Sequence, residues 1–110
     1  MWKNINPFIQ GILSALQSRF SELYGKRLVR LVLYGSQARG EAELGSDIDV
    51  LVVLQGPVDA GLEIARTGEI VAALSLTHDV AIACVFMEEE RYLHRQGPFL
   101  RNVRREGIVL

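Results

Sequence analysis

The seven-residue run Ile48–Leu54 is apolar at every position except Asp49. A strand with one face in solvent alternates apolar and polar residues, whereas a strand at the centre of a sheet is apolar almost throughout. Gln55-Gly56-Pro57 ends the run with residues typical of a turn. The run therefore predicts a central strand, and the rest of the chain has to supply the sheet around it.

The remaining periodic segments alternate helices with strands. Helices are predicted over 5–24, 59–76, 88–96 and 99–106, with strands over 28–34, 48–54 and 80–86 and an apolar tail at 108–110. Asn6 and Asp59 are the expected N-caps, and Gly25 is the expected end of the first helix. The apolar sides of the two long helices are predicted at Phe8, Ile12, Ala15, Leu16, Phe20, Leu23, Ile64, Val71 and Leu74. This order predicts the α/β (α+β) class, a small mixed β-sheet with its helices mainly on one face.

Composition narrows the class of protein. A chain of 110 residues, 49% of them hydrophobic, predicts a single domain over 1–110 with a real core. One cysteine, Cys84, excludes a disulfide framework, and burial of an inert thiol is expected. The net charge of −1 gives no reason to expect nucleic acid as the main partner. No signal peptide or membrane span is expected, which favours a cytoplasmic protein.

Two carboxylates stand at the start of the central strand. Asp47 and Asp49 are two residues apart, so both side chains are expected on one face of the sheet. Neighbouring carboxylates repel each other, and a divalent cation removes that cost. Hard oxygen ligands favour Mg²⁺ or Mn²⁺, ions that also hold the phosphates of a substrate. Capping a turn or blunting a strand edge is the structural alternative.

A glycine–serine pair closes the preceding strand. Gly35 would let the backbone approach phosphate oxygens, and the Ser36 hydroxyl could add a donor. Arg39 could bind a phosphate, although a surface ion pair with Glu41 or Glu43 is nearly as well supported.

Asp79 is the candidate for a third carboxylate. It is predicted to open the third strand, and if that strand lies beside 48–54, Asp79 reaches the same edge of the sheet. A third carboxylate commonly completes a site for two ions.

The stretch 34–51 resembles the minimal nucleotidyltransferases of the DNA polymerase β-like superfamily. Their hallmark is Gly-Ser, ten residues, then Asp-x-Asp, and Gly35, Ser36, Asp47 and Asp49 match it without an insertion. Ala38-Arg39-Gly40 and Ser46 also match, and the segment 99–107 is similar to the C-terminal stretch of the family.

This resemblance implies a polymerase β-like core that transfers a nucleoside monophosphate, with ATP the expected donor, to a hydroxyl. It implies that Asp47 and Asp49 hold two Mg²⁺ ions, that Asp79 holds the ion on the acceptor side, and that Gly35 and Ser36 bind the outgoing phosphates. Many short members are antitoxins that adenylylate a tyrosine of an all-helical HEPN ribonuclease toxin. A HEPN-family toxin is therefore the expected partner.

Two other functions stay open at this stage. A small molecule could be the acceptor, as in the aminoglycoside nucleotidyltransferases, although those generally carry a further domain. The chain could instead be a non-catalytic antitoxin that neutralises its partner by binding. The basic stretch 91–105 could contact an acidic partner, a triphosphate or RNA, and a solvated helix face is the default interpretation.

Overall fold

The computed structural model describes residues 5–43 and 45–110. Residues 1–4, on which the expectation of no signal peptide partly rests, lie outside that range. Leu44 of the motif loop lies outside it as well. The helices are α1 (Pro7–Tyr24), α2 (Ser36–Arg39), α3 (Ala60–His78), α4 (Glu89–His94) and α5 (Pro98–Glu106). The strands are β1 (Leu28–Tyr34), β2 (Ile48–Leu54), β3 (Ile82–Glu88) and β4 (Ile108–Val109), and a short 3₁₀ turn joins α1 to β1.

A single four-stranded sheet, in the order β3-β2-β1-β4, organises the fold. β1 runs antiparallel to both β2 and β4, whereas β2 and β3 are parallel. The sheet is therefore mixed, and β2 lies inside it with six of its seven residues buried, as its apolar sequence predicts. The apolar tail forms β4, because Ile108 and Val109 pair with Leu33 and Val32 of β1.

The two faces of the sheet carry two separate cores. The larger core packs α1 and α3 against alternate strand residues, among them Leu31, Leu33, Val50 and Val52. The smaller core packs Leu100 and Val103 of α5 against the residues of opposite parity, namely Val32, Leu51, Val53 and Met87. The long helices thus lie on one face as expected, while α5 covers part of the other face.

Local signals place most of the helix ends. The side chain of Asn6 accepts a hydrogen bond from the Phe8 N–H (2.8 Å), and Asp59 accepts one from the Leu62 N–H (3.2 Å). Both predicted N-caps are confirmed, because each satisfies a backbone donor that the first turn leaves unpaired. Gly25 ends α1 with a positive φ of 56°.

Three local expectations are wrong. Phe8, Leu23 and Ile64 were assigned to apolar helix faces, yet they are 54%, 40% and 57% exposed. β3 begins at Ile82 rather than at residue 80, because α3 continues to His78 and the strand starts only after the helix has ended. Asp79 therefore does not open β3 but terminates α3 in a left-handed conformation, with φ 52° and ψ 50°.

A buried carboxylate links α1, the 3₁₀ turn and α3. Glu63 is 2% exposed and accepts hydrogen bonds from the Tyr24 hydroxyl (2.6 Å), Arg27 (3.2 Å) and Arg66 (3.0 Å). Burial by itself raises the pKa of Glu63, but the hydrogen bonds from Tyr24 and Arg27 and the charges of both arginines outweigh it and lower that pKa. The carboxylate is thus satisfied in its ionised form.

The described helices lack the length of uninterrupted apolar sequence that crossing a bilayer requires.

Replacing this carboxylate is expected to destabilise the protein in a pH-dependent manner. Glu63→Gln should lower the free energy of unfolding by about 2 kcal/mol at neutral pH, because hydrogen bonds to a charged group are lost. The folded pKa lies below the unfolded value near 4.5, so the stabilisation is present above pH 4.5 and is lost as the pH falls through the folded pKa. Urea unfolding of both proteins across that range measures the difference, which should shrink at low pH.

Glu69→Gln is the matched control, since Glu69 lies on the same helix but is exposed. Equal destabilisation in the two variants would contradict a specific role for Glu63.

Candidate active site

The loop after β1 is built around Gly35. This residue has φ 78° and ψ −160°, a conformation that is essentially restricted to glycine. A Cβ at this position would lie 2.5 Å from Oδ2 of Asp49. Glycine is therefore required twice, once for the backbone turn and once so that the Asp49 carboxylate can lie against that backbone.

The first residues of β2 bring the two carboxylates to this loop. Asp49 pairs with Tyr34 across the β1–β2 ladder, one residue before Gly35. Asp47 precedes β2 by one residue and has the same parity as Asp49. Because Asp49 alternates with Ile48 and Val50, which belong to the larger core, it points to the face that α5 partly covers. Asp47 is exposed and Asp49 is partly buried.

The surroundings of Asp49 disfavour its charge. Burial raises the pKa of Asp49 above its usual value of 3.8, and the neighbouring charge of Asp47 raises it further, while Arg39 acts in the opposite direction. Burial also raises the pKa of Tyr34, with the charge of Asp49 as the next cause. A cation between the two aspartates would relieve both the repulsion and part of the desolvation. The oxygen ligands of Asp47 and Asp49, beside the turn at Gly35, therefore fit a hard divalent ion such as Mg²⁺.

Ser36 is the first residue of α2 and is partly buried beside the glycine turn. The segment leading to Asp47 is fixed by its own hydrogen bonds. The Glu43 N–H donates to the Ser46 hydroxyl (2.9 Å), and the Gln37 side-chain amide donates to the Ser46 carbonyl (3.3 Å). These bonds hold the approach to the first aspartate against α2.

Arg39 is engaged with carboxylates. Its Nε donates to Glu41 (2.5 Å) and its Nη1 donates to Glu106 at the end of α5 (3.0 Å). The expected alternative of an ion pair with Glu41 is therefore present, and Glu43 takes no part in it. A phosphate-binding role for Arg39 stays a prediction, while its placement shows that it ties α2 to the C-terminal helix.

Asp79 lies at the end of α3 and not in a strand beside the aspartate pair. It lines a hollow of about 420 Å³ with Asn6, Phe8 and His78 from the ends of α1 and α3, and with Gly45 and Ser46 of the loop that leads to Asp47. Those helices cover the opposite face of the sheet from Asp49. Among residues 5–43 and 45–110, no group of three or more His, Cys, Asp or Glu side chains is placed to hold a metal ion. The structure thus joins Asp47 and Asp49, whereas a metal-binding role for Asp79 stays a prediction without support from its placement.

Two contacts near the site involve residues of the segment 99–107, whose resemblance to the family gave no role for either residue. Glu106 reaches Arg39 across 67 residues of sequence. The Phe99 ring meets Tyr34 edge-on, with ring centroids 5.3 Å apart. The segment was recognised from its sequence, but the two contacts were not, because both depend on how α5 crosses the sheet. Cys84 is partly buried, and burial raises the pKa of its thiol to about 12, so an unreactive thiol is the fitting description.

The pKa of Asp49 should respond in opposite directions to its two charged neighbours. Asp47→Asn removes the repelling charge and should lower the pKa of Asp49 toward 3.8, whereas Arg39→Gln should raise it. Carboxyl ¹³C NMR titration of the metal-free protein measures both shifts. Shifts of the same sign in the two variants would contradict the described arrangement.

Comparison with known proteins identifies the family of this chain. Residues 11–109 match the model of the nucleotidyltransferase domain. A protein of Methanocaldococcus jannaschii named “Putative protein adenylyltransferase” is 35% identical over 108 residues, which cover 97% of this chain and 98% of that protein. This relative matches the chain along almost its whole length.

Solved structures show the same fold. A toxin–antitoxin structure with AMP-PNP superposes with a TM-score of 0.59 at 19% identity, over 89% of this chain and 68% of that chain. A mutant of the toxin–antitoxin pair MntA–HpeT gives a TM-score of 0.57 at 25% identity, over 91% of this chain and 68% of the other. The mixed sheet is therefore the fold of these structures, and, by the match of residues 11–109, the chain belongs to the nucleotidyltransferase domain family.

Proposed function

We propose that this protein transfers AMP from ATP to the hydroxyl of a protein side chain, most specifically a tyrosine of a partner HEPN ribonuclease toxin, and thereby acts as an antitoxin. The observation that carries the proposal is the fit of the Asp49 carboxylate against the Gly35 backbone, with Asp47 two residues away. This arrangement presents two carboxylates to a loop whose backbone a phosphate chain can approach closely.

In this proposal Asp47 and Asp49 hold Mg²⁺ together with the triphosphate of ATP. Bound there, the ion would lower the pKa of the acceptor hydroxyl and neutralise charge on the phosphates. The glycine turn and the Ser36 hydroxyl bind the outgoing phosphates. Arg39 holds α2, and with it this turn, in place through Glu41 and Glu106, and its charge favours the ionised form of Asp49.

The reaction itself requires positioning rather than a covalent enzyme intermediate. The acceptor oxygen forms a bond to the α-phosphorus of ATP, the bond from that phosphorus to the bridging β-oxygen breaks, and pyrophosphate leaves. The hydroxyl proton passes to solvent. Aligning the acceptor and the triphosphate while balancing charge supplies most of the catalysis in this class of reaction.

Support for a protein acceptor comes from the relatives. The M. jannaschii protein carries the name of a protein adenylyltransferase, and the MntA–HpeT structure is described as a toxin–antitoxin. The bound AMP-PNP of another structural neighbour supports ATP as the nucleotide. The HEPN identity of the partner rests on the resemblance of the motif to antitoxins of that kind. We place the reaction in the cytoplasm, where ATP is available as its substrate.

The transfer reaction should depend on both aspartates. With α-labelled ATP, Mg²⁺ and the helical partner protein, Asp47→Asn and Asp49→Asn should each reduce labelling of the partner by about a thousandfold, since loss of a metal ligand removes several kcal/mol of transition-state stabilisation. Asp59→Asn is the control, because Asp59 caps α3 and asparagine caps equally well.

Label transferred to an aminoglycoside but never to a protein would replace the proposal with the small-molecule activity. Unlabelled partner that is still neutralised by the Asp47→Asn variant would show a binding antitoxin instead.

The glycine turn offers an independent test. Gly35→Ala should reduce transfer by at least about a hundredfold, because the new Cβ displaces the Asp49 carboxylate and small displacements of reacting groups are that costly. Gly97→Ala is the matched control: Gly97 has φ 139° and ψ 163°, also a conformation that favours glycine, but a Cβ there meets nothing within 4 Å. Labelling rates, normalised to folded protein by circular dichroism, should separate the two variants. Equal loss of activity in both would show that backbone strain alone is responsible.

A further inference from the structure

The strand beside the aspartates carries no acid where one would complete a metal site. In the parallel β2–β3 ladder, Asp49 pairs with Ala83, and the Ile48 N–H donates to the Ala81 carbonyl (2.9 Å). Neighbouring strands lie about 4.8 Å apart, so a side chain at residue 83 is the nearest one that β3 can offer to Asp49.

Residues of β3 alternate between the two faces as those of β2 do. Ile82, Cys84 and Phe86 belong to the larger core, while Met87 belongs to the smaller core together with Leu51. The side chain at residue 83 therefore lies on the face of Asp49, as does that of Val85. Ala83 and Val85 are both exposed, and Ala81 is exposed beside them. A small, open, apolar ledge thus borders the carboxylates.

The remaining aspartate near β3 lies outside the strand. Asp79 ends α3, and the Val80 N–H donates back to the Ser75 carbonyl at the helix end (3.1 Å). Within residues 5–43 and 45–110, Asp79 forms no group with Asp47 and Asp49 that is placed to hold a metal ion.

Two divalent ions about 4 Å apart need several shared anionic ligands, because the ions repel each other and each prefers about six oxygens. Two aspartates and a triphosphate satisfy one ion well. We propose that this chain binds a single divalent cation, held by Asp47, Asp49 and the nucleotide, and that Ala83 occupies the position from which a carboxylate would hold a second one. The inference rests on the proposed function, and it departs from the expectation of two ions with Asp79 as a ligand.

One consequence concerns the acceptor. In this proposal the ledge of Ala81, Ala83 and Val85 stands where a third carboxylate would assist the acceptor. The acceptor hydroxyl has to be brought to the α-phosphorus by contacts of the acceptor protein itself. A chain of this kind should therefore transfer AMP poorly to free small hydroxyl compounds.

The test counts ions directly. Mn²⁺ replaces Mg²⁺, and the full chain is saturated with α,β-methylene-ATP, which cannot undergo transfer. Electron paramagnetic resonance gives the number of bound Mn²⁺ ions per protein, and spin coupling reports whether two ions lie close together. We expect one uncoupled ion in the wild type, and one in Asp79→Asn.

Ala83→Asp is expected to create the second position and give two coupled ions. Val85→Asp is the matched control, because Val85 lies on the same face but one strand repeat, about 6.6 Å, farther along, and it should keep one ion. Should Ala83→Asp fold poorly by circular dichroism, Ala81→Asp places an acid on the same ledge beside the first aspartate and should give the second ion.

The outcomes separate this inference from the proposed function. Two coupled ions in the wild type, or a coupled ion lost in Asp79→Asn, would overturn the single-cation site while leaving the transferase function intact. A folded Ala83→Asp variant that still binds one ion would overturn the assignment of that position. No ion bound in the presence of the nucleotide would overturn the proposed function itself.

Discussion

The absence of a side chain at Gly35 allows the loop after β1 to lie against the carboxylate of Asp49, and the arrangement of the site depends on this contact. At this contact, the Asp49 carboxylate near the start of β2 packs directly against the backbone at the end of β1. It also keeps Asp49 partly buried, where desolvation and Asp47 raise its pKa. In the proposed function, a bound cation offsets this unfavourable charge.

The two faces of the sheet differ: one carries the larger hydrophobic core, and the other carries the candidate site. One face is occupied by α1 and α3, which bury most of the large apolar side chains and are joined by the Glu63 cluster. The other face carries Asp49 and is only partly covered, by α5. Because side chains alternate along a strand, β2 can supply the centre of both cores and, within seven residues, the Asp49 carboxylate of the candidate site.

The C-terminal segment completes this second face. Glu106 pairs with Arg39, Phe99 packs edge-on against Tyr34, and Ile108 extends the sheet beside β1. These three contacts connect the end of the chain to the glycine turn. The C-terminal helix is thus part of the support of the site, and a partner that bound α5 would also bear on the position of Arg39.

Features encoded by neighbouring residues could be predicted from the sequence. Alternation and the apolar run placed β1 and β2, and the polar residues Asn6 and Asp59 marked helix starts. The spacing of Gly35, Ser36, Asp47 and Asp49 predicted a candidate site and the family, and the family is confirmed. Such signals are local, since hydrogen-bonding capacity and side-chain direction repeat with the period of the element. Tertiary structure decided the rest: the placement of Asp79 at the end of α3, the pairing of Arg39 with Glu106, and the position of Ala83 beside Asp49. These depend on where α3 stops, how β3 registers against β2 and how α5 crosses the sheet, and each of these is settled by packing between segments that are distant in the chain.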